Sequence, residues 1–377
     1  MAKDNTSLNK LVFESRRAKK ILKTSFVLAF LIAWSCDSSD ERAKRGELEV
    51  VFQYSQNYRS FAKDIISNSD GFFLLIDELP SPVANTIIKI DNNFNVIWKI
   101  AVEYTFISKI LLLPNGKLIA ITNEGLITIQ SDGSSSSWFD GLKTHQLHAL
   151  VVNEMLLLYG VDENYKAFMS AYDFDLNLIW EQRTAFNAVL DFNGKDELSG
   201  VNGVGDTLRT YDLDGILKKQ LAIKSAVRVA VSDLKTDPSG NVYILGVTNY
   251  AGCCCDDQMS ISSVSPSAAV NWFRTTGGSD SNSSSSTILV YNGDIYITGA
   301  YGSPGTCIGG DFDGGSTDVY MAKYDINGNK KKEYLYGDFR NNDDLTRLII
   351  LGNQTYGVGK IGADDTSSKA TIFRIVN

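Results

Sequence analysis

Histidine is almost missing from this 377-residue chain. There are two, alongside five Cys, six Pro and five Met. So few imidazoles leave little for His-based metal ligation or His-centred acid–base chemistry. No Gly-x-Ser-x-Gly elbow, His-Glu-x-x-His pattern or phosphate-binding loop occurs. The Gly-rich stretch Gly200-Val201-Asn202-Gly203-Val204-Gly205 reads as strand and turn, with no helix after it to hold a phosphate. Positive charge is also scarce, with 36 Lys+Arg against 44 Asp+Glu and a formal net charge of −8. That balance disfavours nucleic acid, whose phosphates need clustered cations. Lys3, Lys10, Arg16, Arg17, Lys19, Lys20 and Lys23 all precede residue 36, against only Asp4 and Glu14, so the remainder is more acidic still. No apolar run approaches the ~20 residues of a membrane-spanning helix. What is present, at 44% hydrophobic residues, suffices for a full core and excludes wholesale disorder.

The basic run Arg16-Arg17-Ala18-Lys19-Lys20 is followed by the short apolar stretch Ser25-Phe26-Val27-Leu28-Ala29-Phe30-Leu31-Ile32-Ala33-Trp34-Ser35 and then Cys36. A basic region, a short apolar region and a small residue form the pattern of a secretory signal. A Cys directly after the apolar region resembles the lipobox of bacterial lipoproteins. The resemblance implies that residues 1–35 are a signal peptide and that Cys36 is diacylated. The acidic cluster Asp37-Ser38-Ser39-Asp40-Glu41 is similar to the surface-export signal of Bacteroidota lipoproteins, which implies an outer-membrane, cell-surface address. Two acyl chains suffice for stable anchoring. Residues 36–46 then read as the lipidated Cys and a polar tether. The competing reading is a short anchor helix with an incidental Cys.

From residue 47 the chain consists of short β-rich runs between Gly, Asn, Asp and Ser turns. One element, a turn followed by an apolar run, recurs seven times. Clear copies are Asp70-Gly71-Phe72-Phe73-Leu74-Leu75, Asn115-Gly116-Lys117-Leu118-Ile119-Ala120, Asn241-Val242-Tyr243-Ile244-Leu245-Gly246 and Gly293-Asp294-Ile295-Tyr296-Ile297-Thr298-Gly299. A second element ends in a polar turn residue at Asp91, Ser131, Asp173, Asp212, Ser265 and Asp325, and finally at Asn377. Trp98, Trp138, Trp180, Lys219, Trp272 and Lys332 follow the first six at one constant spacing, a register that suits aromatics wedged between neighbouring repeats. Units of about 40–50 residues are propeller blades. The last unit lacks its outermost strand, while Glu47-Leu48-Glu49-Val50-Val51-Phe52-Gln53-Tyr54 is an orphan strand at the other end. Pairing the two closes the ring and removes an open edge. The expectation is an all-β, seven-bladed β-propeller over residues 47–377, closed by an N-terminal strand completing the last blade.

The stretches Asp237-Pro238-Ser239-Gly240-Asn241-Val242-Tyr243-Ile244-Leu245-Gly246 and Ser316-Thr317-Asp318-Val319-Tyr320-Met321-Ala322-Lys323-Tyr324-Asp325 resemble the bacterial beta-propeller repeat (SBBP-type) of secreted and surface proteins. The likeness extends over roughly residues 225–338. It implies fold and surface location and carries no catalytic residues.

The fifth and sixth units carry long insertions between their second and third strands. The fifth holds Tyr250, Cys253, Cys254, Cys255, Asp256 and Asp257; the sixth holds Tyr301, Cys307, Asp311, Phe312 and Asp313. Equivalent loops of adjacent blades project from one face, which marks them as interaction loops. A disulfide from Cys307 to one of Cys253, Cys254 and Cys255 is the expectation for an exported protein. A thiol metal site and free thiols are the alternatives. Asp311, Asp313 and Asp318 are a weak Ca²⁺ candidate against the reading of an acidic solvated loop, because the full calcium loop with its terminal Glu is absent. His145 and His148, three apart on a strand, face opposite sides and suit a shared metal poorly. No cofactor, no metal and no nucleic acid are expected.

The expected function is a non-enzymatic, lipid-anchored outer-membrane propeller that binds a protein partner, as an accessory subunit of an outer-membrane complex. One alternative is glycan binding on Tyr250, Tyr301 and Phe312. Another is a propeller-fold polysaccharide lyase or hydrolase with paired acids at the ring axis, whose identity the sequence does not show.

Overall fold

The computed structural model describes residues 44–45, 47–54, 59–79, 85–102, 107–122, 125–134, 136–139, 144–185, 187–224, 229–249, 257–276, 283–302, 317–337, 343–362 and 368–376. They form seven sheets, one per repeat, antiparallel and running outward from an inner strand in sequence order except at the outer edges of blades 6 and 7. The inner strands are Arg59–Asn68, Ile107–Leu112, Thr144–Val152, Val189–Phe192, Ala230–Thr236, Ser284–Tyr291 and Asp344–Leu351, in blades 1 to 7. The expected seven-bladed β-propeller is the observed fold.

The apolar runs are second strands, and their continuity has a physical cause. Successive side chains point to opposite faces of a sheet, and each blade is covered on both faces. In blade 1, Phe72, Leu74 and Ile76 enter the seam against blade 7, while Phe73 and Leu75 enter the seam against blade 2. Ile119 and Ile121 of blade 2 meet Leu156 and Leu158 of blade 3, and Leu157 and Tyr159 turn to blade 4. The hydrophobic core is therefore seven seams, one between each pair of neighbouring blades.

Closure follows the sequence expectation. Glu47–Gln53 pairs antiparallel with Lys369–Val376, from Glu47 opposite Val376 to Gln53 opposite Thr371, and completes blade 7. The Tyr54 amide donates to Ala370 O and the Ser60 amide to Ser368 O, both at 2.9 Å. One boundary differs. Lys44–Arg45, assigned to the tether, pairs in parallel with Lys330–Tyr336 as a fifth strand on blade 6, so the compact unit starts at Lys44. Among the described residues, no helix is long and apolar enough to cross a membrane.

The tryptophan register is a contact between neighbours. Trp98, Trp180 and Trp272 stand on the outer strands of blades 1, 3 and 5, and each covers the turn between third and fourth strands of the next blade. The Trp98 indole donates to Ser131 O at 3.2 Å and Trp272 to Ile326 O at 2.9 Å. Beneath each ring lies a glycine of that turn with positive φ: Gly133, Gly215 and Gly328. A methyl on Gly328 would come 2.6 Å from the Trp272 ring. In blades 1, 3 and 6 the turn between third and fourth strands is held shut by the Asp that opens it. Asp91, Asp173 and Asp325 each accept from two backbone amides and from the Asn four residues on, Asn95, Asn177 or Asn329.

Gly352 sits in another turn at similar positive φ with nothing within 4 Å of an added methyl. Gly352→Ala is expected to cost about 1 kcal/mol, for conformation alone. Gly328→Ala adds a clash with an immobile ring and is expected to cost about 2–4 kcal/mol. Urea unfolding of the two variants separates these terms.

Candidate functional site

The inner strands line a cavity of about 400 Å³ on the ring axis. The polar character of its wall is built by a repeated backbone irregularity. In six blades the inner strand carries one extra residue, and the next paired residue is Asp64, Lys109, Gln146, Asp233, Thr287 or Arg347. The extra residues Lys63, Ser108, Ser232 and Thr346 line the cavity too. Such a bulge re-aims the side chains of its strand. It also explains the glycine that ends several repeat motifs. A methyl on Gly299 or Gly359 would lie 1.8 Å from the carbonyl oxygen of Ser284 or Asp344, beside the bulge. Only a bare Cα admits the displaced backbone.

Two acids, Asp64 and Asp233, line the cavity, a third, Asp191, pairs with the lining residue Lys235, and all three are engaged. Asp64 Oδ1 accepts from the Ile65 amide at 3.0 Å and lies 3.1 Å from Arg347 Nε, while Oδ2 accepts from the Ile110 amide of blade 2 at 2.9 Å. Asp233 repeats the arrangement. Its Oδ1 accepts from the Leu234 amide at 2.9 Å, and its Oδ2 accepts from Ile288 N at 3.0 Å and Thr287 Oγ1 at 2.8 Å, both in blade 6. Asp191 takes the Thr236 amide of blade 5 at 2.8 Å and Lys235 Nζ at 3.0 Å. Each carboxylate thus ties its own inner strand to the next one. Burial pushes the Asp191 carboxyl up. For Asp233 burial acts in the same direction, but the Lys235 and Arg347 charges outweigh it and hold the carboxyl below its ordinary value.

The cations are less fully matched. Lys63 pairs with Asp77 at 2.8 Å and Lys235 with Asp191. Lys109 Nζ donates to a single acceptor, Ala149 O of blade 3, at 3.1 Å. Arg347 uses Nε on Asp64 and holds Nη1 3.4 Å from Thr287 Oγ1, while its Nη2 has no partner among the described residues. Burial, and then the nearby Arg347 charge, pull the Lys109 ammonium down to about 8.

Neither histidine pairs with the other, as expected from their spacing, but their fates differ. His145 stacks on Tyr165 at the surface, with centroids 4.3 Å apart. His148 lines the axial cavity, stacks on Tyr159 at 5.1 Å and has Nε2 2.8 Å from Gln146 Nε2. Burial, with the Lys109 charge, lowers it to about 4, so it is neutral at pH 7. Burial raises the Tyr159 hydroxyl, which accepts from the Leu190 amide at 3.1 Å.

Of the residues singled out in the sequence, Cys36, Tyr250, Cys253, Cys254, Cys255, Asp256, Cys307, Asp311, Phe312 and Asp313 lie outside the described residues. Both insertions do join second to third strands, between Asn249 and Asp257 and between Gly302 and Thr317. Asp257 opens the third strand of blade 5. Tyr301 is half-buried on the second strand of blade 6, its ring stacked on Tyr320 at 6.0 Å, and belongs to the seam with blade 5. Asp318 is buried on the third strand of blade 6. Among the described residues no group of three His, Cys, Asp or Glu could hold a metal ion.

No protein-family model matches the chain, the SBBP-type repeat included, and no curated protein matches it. Solved structures do. A catalytically inactive variant of virginiamycin B lyase from Staphylococcus aureus, with quinupristin, aligns at TM-score 0.60 and 8% identity over 86% of this chain and 98% of that one. The WD40 domain of Toxoplasma gondii coronin gives 0.57 and 10%, over 89% and 87% of the two chains. YCF48 bound to D1 peptide gives 0.52 and 8%, over 87% and 98%. At these identities the likeness is one of fold.

Two variants test the electrostatics. Asp64→Ala strips Arg347 and the Ile110 amide of their acceptor and is expected to cost about 3–5 kcal/mol of unfolding free energy. Lys109→Met is expected to stabilise at pH 7 by about 1–3 kcal/mol, because the unfolded chain regains a fully solvated ammonium. Between about 8 and the unfolded value near 10.4 the unfolded chain binds the extra proton, so wild-type stability rises with pH. The gap between variant and wild type should therefore be complete below pH 8 and closed above about 10.4, read from urea midpoints across that range.

Proposed function

We propose that this chain is a non-enzymatic binding propeller, anchored through a diacylated Cys36 at the outer-membrane surface, and that it docks a protein partner as part of an outer-membrane assembly. One observation carries the non-enzymatic reading. Asp64, Asp191 and Asp233, the acids that a lyase or hydrolase would use at the axis, spend their oxygens on inter-blade amides and neighbouring cations. General acid–base work needs one of a pair to be free to exchange a proton with a substrate. His148, neutral and engaged by Gln146, does not supply a substitute base next to a nucleophile.

The docking face of this reading is the end of the ring where the second strands of blades 5 and 6 finish, at Asn249 and Gly302. In an antiparallel blade, the connections from second to third strand emerge at the end where inner strands begin. Asn249 and Asp257 of blade 5, and Gly302 and Thr317 of the adjacent blade 6, are the strand ends that lie there. Peptide binding has a precedent in the fold, since the YCF48 propeller is bound to a peptide.

Purification from native membranes in mild detergent, followed by intact mass spectrometry, tests this reading. The expected result is a diacylated chain beginning at Cys36 with a stoichiometric outer-membrane companion. A diacylated chain without a companion overturns the partner, and an unprocessed chain beginning at Met1 overturns the anchor.

A further inference from the structure

We propose that the axial cavity binds a small organic monocarboxylate, its oxygens between the Lys109 ammonium of blade 2 and the Arg347 guanidinium of blade 7. This inference does not rest on the lipid anchor or on a protein partner.

The argument begins with what the cavity has left to offer. Each oxygen of its carboxylates already accepts at least one hydrogen bond. Its cations keep donors to spare. Lys109 makes one hydrogen bond, to a backbone carbonyl, and keeps two N–H groups. Arg347 keeps Nη2. Two positive groups line one cleft partly shielded from bulk water and act on each other there, where like charges repel more strongly than in solvent. An anion between them removes that repulsion and fills both sets of donors with charge-assisted bonds.

The charge and size of the occupant follow. Asp64 and Asp233 line the same wall, so a doubly charged phosphate would add repulsion that a single carboxylate avoids. A volume of about 400 Å³ admits a small molecule and excludes a folded segment. Leu147, Leu150, Val189 and Val231 supply an apolar wall for the body of the ligand. Gln146 stands among them for a polar substituent.

Isothermal titration of the full chain in mild detergent, with benzoate and its neutral counterpart benzamide, tests the inference. At pH 7 benzoate is expected to bind at least about tenfold more tightly than benzamide, or about 1.4 kcal/mol. In Lys109→Met, which removes a costly charge at nearly constant volume, that preference is expected to fall below about twofold. Equal binding of the two probes by the wild type overturns the proposal, as does a preference that survives in Lys109→Met.

A second measurement needs no variant. The groups facing Lys109 are Lys63 and Asp64 from blade 1, His148 and Tyr159 from blade 3, Asp233 and Lys235 from blade 5, and Arg347 from blade 7, with Asp191 of blade 4 paired to Lys235. Burial keeps Tyr159 protonated, Lys235 and Arg347 are shifted up by their acidic neighbours, and His148 is shifted down to about 4. Lys109 is the group whose shift, to about 8, brings it into the alkaline working range. The benzoate preference of the wild type is therefore expected to weaken as pH rises through 8. A preference unchanged on crossing that range overturns the role of Lys109.

Discussion

The pairing of Glu47–Gln53 with Lys369–Val376 is the constraint on which everything else hangs. Each blade needs a neighbour on both faces, because its second strand carries large apolar side chains pointing both ways. An open array of seven such sheets would leave two apolar faces and one unpaired edge in water. Closing the array covers both faces in a single event, and the seam between blades 7 and 1 forms from Phe72, Leu74 and Ile76 against Val358, Ala370 and Ile372. The axial cavity is a by-product of that closure. Its wall takes residues from blades 1 to 5 and from blade 7, so it has no existence in any fragment of the ring.

Inside the ring, architecture and electrostatics are one problem. Inner strands converge on the axis too steeply to share a regular ladder with each other, and their amides there need other acceptors. Asp64, Asp191 and Asp233 supply them, each reaching across to the following blade. These acids are the mortar between inner strands. Lys235 and Arg347 answer their charge. Lys109 is surplus to that balance, and it gives the cavity its preference for a negative visitor. The bulges that aim these side chains depend in turn on glycines one strand further out, Gly299 and Gly359 among them, so a feature of the repeat motif reaches the axis through the backbone.

Much of this was legible in the sequence because the informative contacts are local. The Asp91, Asp173 and Asp325 turns bind their own amides within four residues, so their spacing alone displays the blade count. The tryptophan register was visible, yet its meaning was half hidden. The partner of Trp272 is the turn around Gly328 in the next blade, a relation between repeats that no single repeat discloses. The axial site was not legible at all. A strand read at period two assigns alternate residues to alternate faces, and the extra residue before Asp64, Lys109, Asp233 and Arg347 breaks that phase where it matters. For His148, the spacing from His145 showed only that the two face opposite sides, and the inner strand of blade 3 carries His148 to the axis. The addition of Lys44–Arg45 to blade 6 escaped notice because two residues carry no pattern.

The clasp also sets a timetable. A chain delivered amino end first presents Glu47–Gln53 before any of the inner strands, yet the partner of that strand is the last to arrive. Until Val376 emerges, that strand has no ladder, and blade 1 shows one oily flank to whatever surrounds it. Long-range pairings of this kind are slow to find, and unpaired strands are the ones that stick to other chains. The newborn ring therefore passes through an interval in which six sheets can be complete and the molecule is still unfinished. How long that interval lasts, and what shelters the waiting strand, will govern how much of this protein reaches its working form.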